Sequence, residues 1–207
     1  MSEGTEATGQ EYWDTRYRES ERIWSGEPNA ALVAEAADLA PGRALDLGCG
    51  EGADAVWLAR RGWRVTAVDI SAVALERAAE HAAEAGVADR IDFQRHDLAQ
   101  SFPEGGFALV AALFLHSRGD MPRERILRTA AAHVVSGGTL LIVGHAGHAT
   151  WEHDHDQDVR LPEAAEVLES LQADPGEWEV LLSQERRRDH ASPGGHHADT
   201  IVKLRRR

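Results

Sequence analysis

The chain has one cysteine, Cys49, one lysine, Lys203, and no uninterrupted apolar stretch near the ~18 residues that a membrane-crossing helix needs. A lone cysteine excludes an internal disulfide, so nothing in the fold depends on an oxidising compartment. The N-terminus, MSEGTEATGQ, has neither the basic nor the apolar region of a secretory signal, and the expectation is a cytoplasmic protein. Positive charge is also scarce. Against 22 Lys and Arg stand 35 Asp and Glu, a net charge of −13 with the 11 histidines counted as neutral. That balance argues against holding nucleic acid by phosphate neutralisation, and against an anionic membrane as partner. What remains is 207 residues, 43% of them hydrophobic, enough for one domain with a real core.

Residues 1–10 are small and polar and read as a disordered tail, and 11–207 as a single domain. Segment 11–40 reads as an N-terminal helical cap: one short helix over 11–20 with Trp13 and Tyr17 on one face, then a second from Pro28 to Leu39. Strand-like and helix-like segments then alternate, the pattern of a parallel sheet with helices on both faces. The expected strands are 44–47, 64–69, 90–97, 107–114 and 139–143. Helices fall between them, with Ser71 as a cap and Gly137 and Gly138 as a helix stop. After a helix from Pro162 to about Leu171, the runs 177–185 and 200–204 have no helix between them, which predicts an antiparallel hairpin. The arginine triplets 186–188 and 205–207 read as a solvated strand edge.

Gly48, Gly50 and Gly52 follow the first strand directly and precede a helix, where absent Cβ atoms let a ligand approach the backbone. Gly48-x-Gly50-x-x-Ala53 also satisfies the permissive dinucleotide fingerprint, with Asp69 placed for a ribose. Asp46 argues otherwise, because its carboxylate would repel a pyrophosphate on that turn and favour the ammonium and sulfonium of S-adenosylmethionine. Asp97, closing the third strand, is a further acceptor suited to an adenine amino group.

The segments ALDLGCGEG at 44–52, VTAVDIS at 65–71 and RHDL at 95–98 resemble the three cofactor motifs of class I S-adenosylmethionine-dependent methyltransferases. YWDTRY at 12–17, WSGEPN at 24–29 and FLHS at 114–117 resemble the small-molecule branch that includes tellurite-resistance and thiopurine methyltransferases. The resemblance implies a three-layer, Rossmann-like, seven-stranded α/β sheet, mostly parallel with a C-terminal antiparallel hairpin. It implies S-adenosyl-L-methionine as cofactor and S-adenosyl-L-homocysteine as product. Residue by residue, Asp46, Gly48, Cys49 and Gly50 would face the methionine part and Asp69 the ribose. Ile70, Asp97 and Leu98 would hold the adenine, with Ala111 behind the site and Trp13 in the cap above it. The small-molecule acceptor would be a thiol, a metalloid or another heteroatom nucleophile, with O or N on a small natural product as the alternative. An NAD-dependent oxidoreductase and a non-catalytic cofactor- or metal-binding module remain as rivals. The assembly is expected to be a monomer or homodimer.

His116 and His145 follow the fourth and fifth strands, at the sheet edge where open α/β folds bind ligands, and are the candidate bases. Between His145 and Asp158, four histidines alternate with four acids. Imidazole and carboxylate suit zinc, iron or nickel, but the spacing matches no metal signature, so a solvated loop is the expectation and no metal is assigned.

Overall fold

The computed structural model describes residues 9–116, 121–146, 148–149, 159–187 and 198–207, with 148–149 and 159–160 described by backbone alone. The expected tail therefore falls almost wholly outside the described residues. So does most of the histidine-rich loop, including Trp151, His153 and His155.

Two short helices come first, α1 (Gln10–Arg18) and α2 (Ala30–Ala36). The alternating core follows as β1 (Arg43–Leu47), α3 (Ala53–Arg60), β2 (Arg64–Asp69), α4 (Ala72–Glu84), β3 (Ile91–Arg95), β4 (Phe107–Leu113), α5 (Arg123–Ala132) and β5 (Val134–His145). The chain ends with a two-residue pair, β6 (His148–Ala149) and β7 (Val159–Arg160), then α6 (Ala164–Ser170), β8 (Trp178–Arg187) and β9 (Ala198–Arg206). The main sheet has seven strands in the order β3-β2-β1-β4-β5-β9-β8. Its first five strands are parallel, and β9 runs antiparallel to both β5 and β8. The expected sheet and hairpin are thus present.

Successive side chains of a strand point to opposite faces, so a strand covered on both sides must be apolar throughout. On β4, Leu109, Ala111 and Leu113 enter one core with Leu32, Leu58 and Trp63, while Val110 and Ala112 enter the other with Ile126, Leu127 and Val167. Helices α2 and α3 therefore cover one face, and α5 and α6 the other. Ser71 caps α4 as expected, accepting from the Ala74 amide at 3.2 Å.

One expectation is corrected. Gly137 and Gly138 do not stop a helix: α5 ends at Ala132, and β5 begins five residues earlier than the apolar run at 139–143 suggested. The β4–β5 register jumps from Phe107↔Val134 to Leu109↔Thr139, so the glycines lie in an irregularity inside the strand, where Gly137 takes φ +77°. Among the described arginines of the hairpin, two find acids. Arg186 reaches Glu35 at 2.6 Å and Arg205 reaches Glu179 at 2.5 Å.

Candidate active site

The order of strands reverses at β1, with β2 on one side and β4 on the other, and the glycine turn leaves β1 at that switch point. The amides of Gly48 and Cys49 donate to Val68 O at 2.8 and 2.9 Å, pinning the turn to the end of β2. Gly48 has φ +73°, and a Cβ there would lie 2.8 Å from Leu115 Cδ1, so Leu115, two residues past β4, packs directly on the turn. Asp69 holds the same turn from the other side. Its two oxygens accept the Gly50 and Ser71 amides, each at 2.9 Å. A carboxylate has about four lone-pair sites, so capacity remains for ligand hydroxyls.

Asp46 is 2% exposed, and its Oδ2 meets no hydrogen-bond donor among the described residues. Burial, reinforced by the Asp54 and Asp69 carboxylates, holds its carboxyl well above the ordinary range. Asp54, in the first turn of α3, is pushed by burial up to about 6, against the hydrogen bond it accepts from the Asn29 amide at 2.6 Å. Burial also raises Asp69, opposed by its backbone hydrogen bonds. Among the described residues, none of these three carboxyl groups has a cationic partner. Cys49 shares this environment: lost hydration and the Asp69 and Asp46 charges push its thiol up, which makes it a poor nucleophile.

The N-terminal segment closes over the turn. Tyr17 is 2% exposed, and its hydroxyl accepts from Trp24 Nε1 at 3.0 Å. Both lie against Gly50, where a Cβ would come within 3.1 Å of the Tyr17 oxygen and 3.2 Å of Trp24 Nε1. Burial and the nearby Asp69 raise the Tyr17 phenol. Trp13 lies edge-on to Tyr12 and 6.2 Å from the Tyr17 ring. Ile70 is half-buried at the end of β2. Asp97 spends its carboxylate on a turn, accepting from the Ala99 amide at 2.9 Å and Gln100 Nε2 at 2.6 Å, while Leu98 packs on the core. Ala111 lies within β4 as the register partner of Asp46, its methyl fully buried.

Sequence reasoning missed the residues that fasten this cap. Glu51, inside the glycine turn, is 6% exposed and accepts the Trp24 and Ile23 amides at 3.1 and 3.3 Å. Arg77 on α4 pairs with Glu51 at 3.0 Å and donates to the carbonyls of Tyr17 and Ser20. Asp14 on α1 accepts from Ser71 Oγ at 2.6 Å. Burial raises the Asp14 carboxyl, but hydrogen bonds from Ser71 and Gln10 outweigh it and leave it below the ordinary value.

His116 and His145 do come together, at the carboxyl ends of β4 and β5. Their rings stack at 5.7 Å with 12° between planes, and Phe114 stacks on His145 at 4.4 Å. His145 Nδ1 lies 4.0 Å from Asp199 Oδ1, its register partner on β9. Phe114 has φ +50°, a backbone state that bulky residues rarely adopt, which turns the chain from β4 towards Leu115 and His116. Since Leu115 touches Gly48, the histidine pair stands one residue from the glycine turn. No group of three potential metal ligands occurs among the described residues. Among those residues, no helix is long and apolar enough to cross a membrane.

A pyrophosphate would enter a turn lined by Asp46, Asp54 and Asp69 at an electrostatic loss. The ammonium and sulfonium of S-adenosylmethionine fit it, because the unpartnered Asp46 oxygen needs a cationic donor. Known proteins agree with that fit. A family model described as a methyltransferase domain matches residues 44–138. The chain is 34% identical over 125 residues to the probable tocopherol O-methyltransferase, chloroplastic, of Oryza sativa subsp. japonica, covering 59% of this chain and 33% of that one. It is 33% identical over 108 residues to ribosomal RNA small subunit methyltransferase C of Alcanivorax borkumensis, covering 51% and 33%. The chain thus spans about a third of the length of these curated relatives. A solved structure described by the conversion of a disulfide bond into a thioacetal group during echinomycin biosynthesis superposes with a TM-score of 0.72. It shares 26% identity, over 95% of this chain and 92% of that one. Residues 44–138, which hold the glycine turn with Asp46 and Asp69, thus match the model of a methyltransferase domain.

Proposed function

We propose that the protein transfers a methyl group from S-adenosylmethionine to a nucleophilic heteroatom of a small molecule, and that His145 and His116 receive the acceptor's proton. The observation that carries this reading is the stacked histidine pair, backed by Asp199 and one residue from the leucine that packs on Gly48. The similar protein associated with a thioacetal supports a sulfur acceptor, and the O-methyltransferase relative supports oxygen. The tellurite-resistance and thiopurine branch, with its metalloid and thiol acceptors, belongs to the same proposal.

When bound, the cofactor supplies an electrophilic methyl on a sulfonium. Asp46, Gly48, Cys49 and Gly50 would hold its amino-acid part, Asp69 the ribose, and Ile70, Asp97 and Leu98 the adenine, with Ala111 behind and Trp13 in the cover. The cap fastened by Glu51 excludes water from the glycine turn, and cap and turn together fix the line of approach. Alignment of this kind contributes up to about 7–11 kcal/mol in favourable cases. His145, oriented by Asp199 and stacked between Phe114 and His116, is positioned to take a proton from a hydroxyl or thiol.

The test is a methyl-transfer screen against thiols, metalloid oxyanions, phenols and amines, read as S-adenosylhomocysteine formed, for the wild type and for His145→Gln and His116→Gln. Expected is turnover of at least one class, with a loss of about 100-fold or more in one variant that shrinks at high pH, where the acceptor ionises unaided. Turnover of RNA and of no small molecule would overturn the reading.

A further inference from the structure

Arg123, the half-buried first residue of α5, reaches the neighbourhood of His116. Its Nε donates to Leu115 O at 3.3 Å. One of its terminal nitrogens lies 3.7 Å from the point a Cβ on Gly144 would occupy, and His116 Cε1 and Nε2 lie 3.9 Å from that same point. The guanidinium and the imidazole thus converge on a space that Gly144, by lacking a side chain, leaves open above the end of β5.

Among the described residues the cation has no ion-pair partner, and Glu124 acts on it only at longer range. Among the described residues, Arg77, Arg186 and Arg205 each meet a carboxylate. Arg123 meets none within ion-pair distance, and its sequence neighbour Glu124 turns to Arg128 at 3.9 Å. Loss of hydration lowers the Arg123 pKa, the mark of a guanidinium partly withdrawn from water. A half-dehydrated arginine without an ion-pair partner is costly, and its planar fork of donors matches a carboxylate in two parallel hydrogen bonds. The Nε bond to Leu115 leaves the terminal nitrogens for that role, and it fixes the fork relative to the residue that touches Gly48.

We propose that Arg123 anchors a carboxylate of the methyl acceptor, so that the acceptor is a small organic acid whose nucleophilic heteroatom faces His116 and His145. This rests on the methyl-transfer reading and adds to it a substrate class. The anchor sits on α5 and the proton acceptors on the β4 and β5 ends, so one rigid acid would span them and be aligned by its two ends.

The experiment is calorimetry on protein first saturated with S-adenosylhomocysteine. Two matched pairs are titrated: 3-hydroxybenzoate against 3-hydroxybenzamide, and mercaptoacetate against mercaptoacetamide. For the wild type, at least one acid should bind about tenfold or more tightly than its amide, the scale of a charge-assisted bidentate contact. Arg123→Gln should bring that ratio to within about twofold, and Arg123→Lys should keep part of it, since lysine retains the charge without the fork. Affinity for S-adenosylhomocysteine should be unchanged in both variants. Equal binding of acid and amide, no binding by either pair, or a ratio that survives Arg123→Gln would overturn the proposal. Failure of the first titration, in which S-adenosylhomocysteine itself does not bind, would instead remove the methyl-transfer reading and this inference with it. If Arg123→Gln does not fold, the wild-type ratio and its partial retention in Arg123→Lys decide the matter.

Discussion

Replacing Asp46 with Asn keeps the shape of the side chain and removes one of three crowded carboxylates. In the free protein this group is desolvated, faces Asp54 and Asp69, and has an oxygen with no donor among the described residues. Its folded pKa is raised, so the folded state holds the proton more tightly than the unfolded chain, whose ordinary value is 3.8. The associated stability is complete below that value and is lost as pH rises through the folded pKa of Asp54, about 6, and of Asp46. Once deprotonated, the wild type therefore carries an unsatisfied buried charge, a cost of about 1–3 kcal/mol. Asp46→Asn should recover much of this, raising the melting midpoint by roughly 2–4 °C for each kcal/mol in a domain of this size. The gain should shrink as pH falls, because the raised pKa lets the folded wild type take up this proton before the unfolded chain does. Cofactor binding should move the other way. Loss of a charge-assisted contact worth about 1.5–3 kcal/mol weakens S-adenosylmethionine by about 10- to 150-fold. Calorimetry in two buffers of different ionisation enthalpy should also show more protons released on binding by the wild type than by the variant, since the free wild-type carboxyl holds its proton more tightly than an ordinary one. A variant that melts lower than wild type at pH 8, and binds S-adenosylmethionine within about twofold of it, would refute the reasoning.

Arg77→Met should cost about 3–5 kcal/mol, because the Glu51 side chain, 5% exposed, would keep its charge and lose its counter-ion. Hydrogen exchange should then speed up in the cap, at residues 17–24, more than in β1 or β4, and unchanged protection there would contradict the fastening role of Arg77. Gly52→Ala should destabilise by about 2–4 kcal/mol in denaturant titration, since φ is +83° and the new Cβ would lie 2.8 Å from Ala78 Cβ on α4. Gly86→Ala, with φ +69° but open space around it, should cost only about 1 kcal/mol, and equal costs at the two sites would show that packing on α4 does not matter.

The parts of the site legible in the sequence are those whose chemistry is local. Strand, glycine turn and helix follow one another along 44–60, so the geometry that gathers Asp46, Gly48 and Gly50 is written within a few residues. Asp69 and Ser71 were legible for the same reason, one ending a strand and the other capping a helix. Glu51 and Arg77 were not, because their meeting depends on how α4 packs over the turn, across 26 positions of sequence. A glutamate inside a turn otherwise made of small residues was the one available signal. Asp199 was hidden by topology: it reaches His145 only because β9 inserts beside β5. The early start of β5 was missed because residues 135–137 are exposed and polar or glycine in part, so the apolar pattern that marks a buried strand is absent there.

The place of β9 between β5 and β8 has a consequence for the order in which the molecule can form. The first five strands are complete by His145, yet the outer edge of β5, with Leu141, Ile142 and Val143 along it, waits for a partner that begins at Ala198. While a ribosome is still adding those residues, the nascent sheet exposes an unpaired apolar edge, the feature most prone to cross-pairing with another chain. Closure of the sheet is thus the late event of biosynthesis. Because it also carries Asp199 to His145, the proposed base would acquire its orienting partner at the moment the chain becomes safe from aggregation.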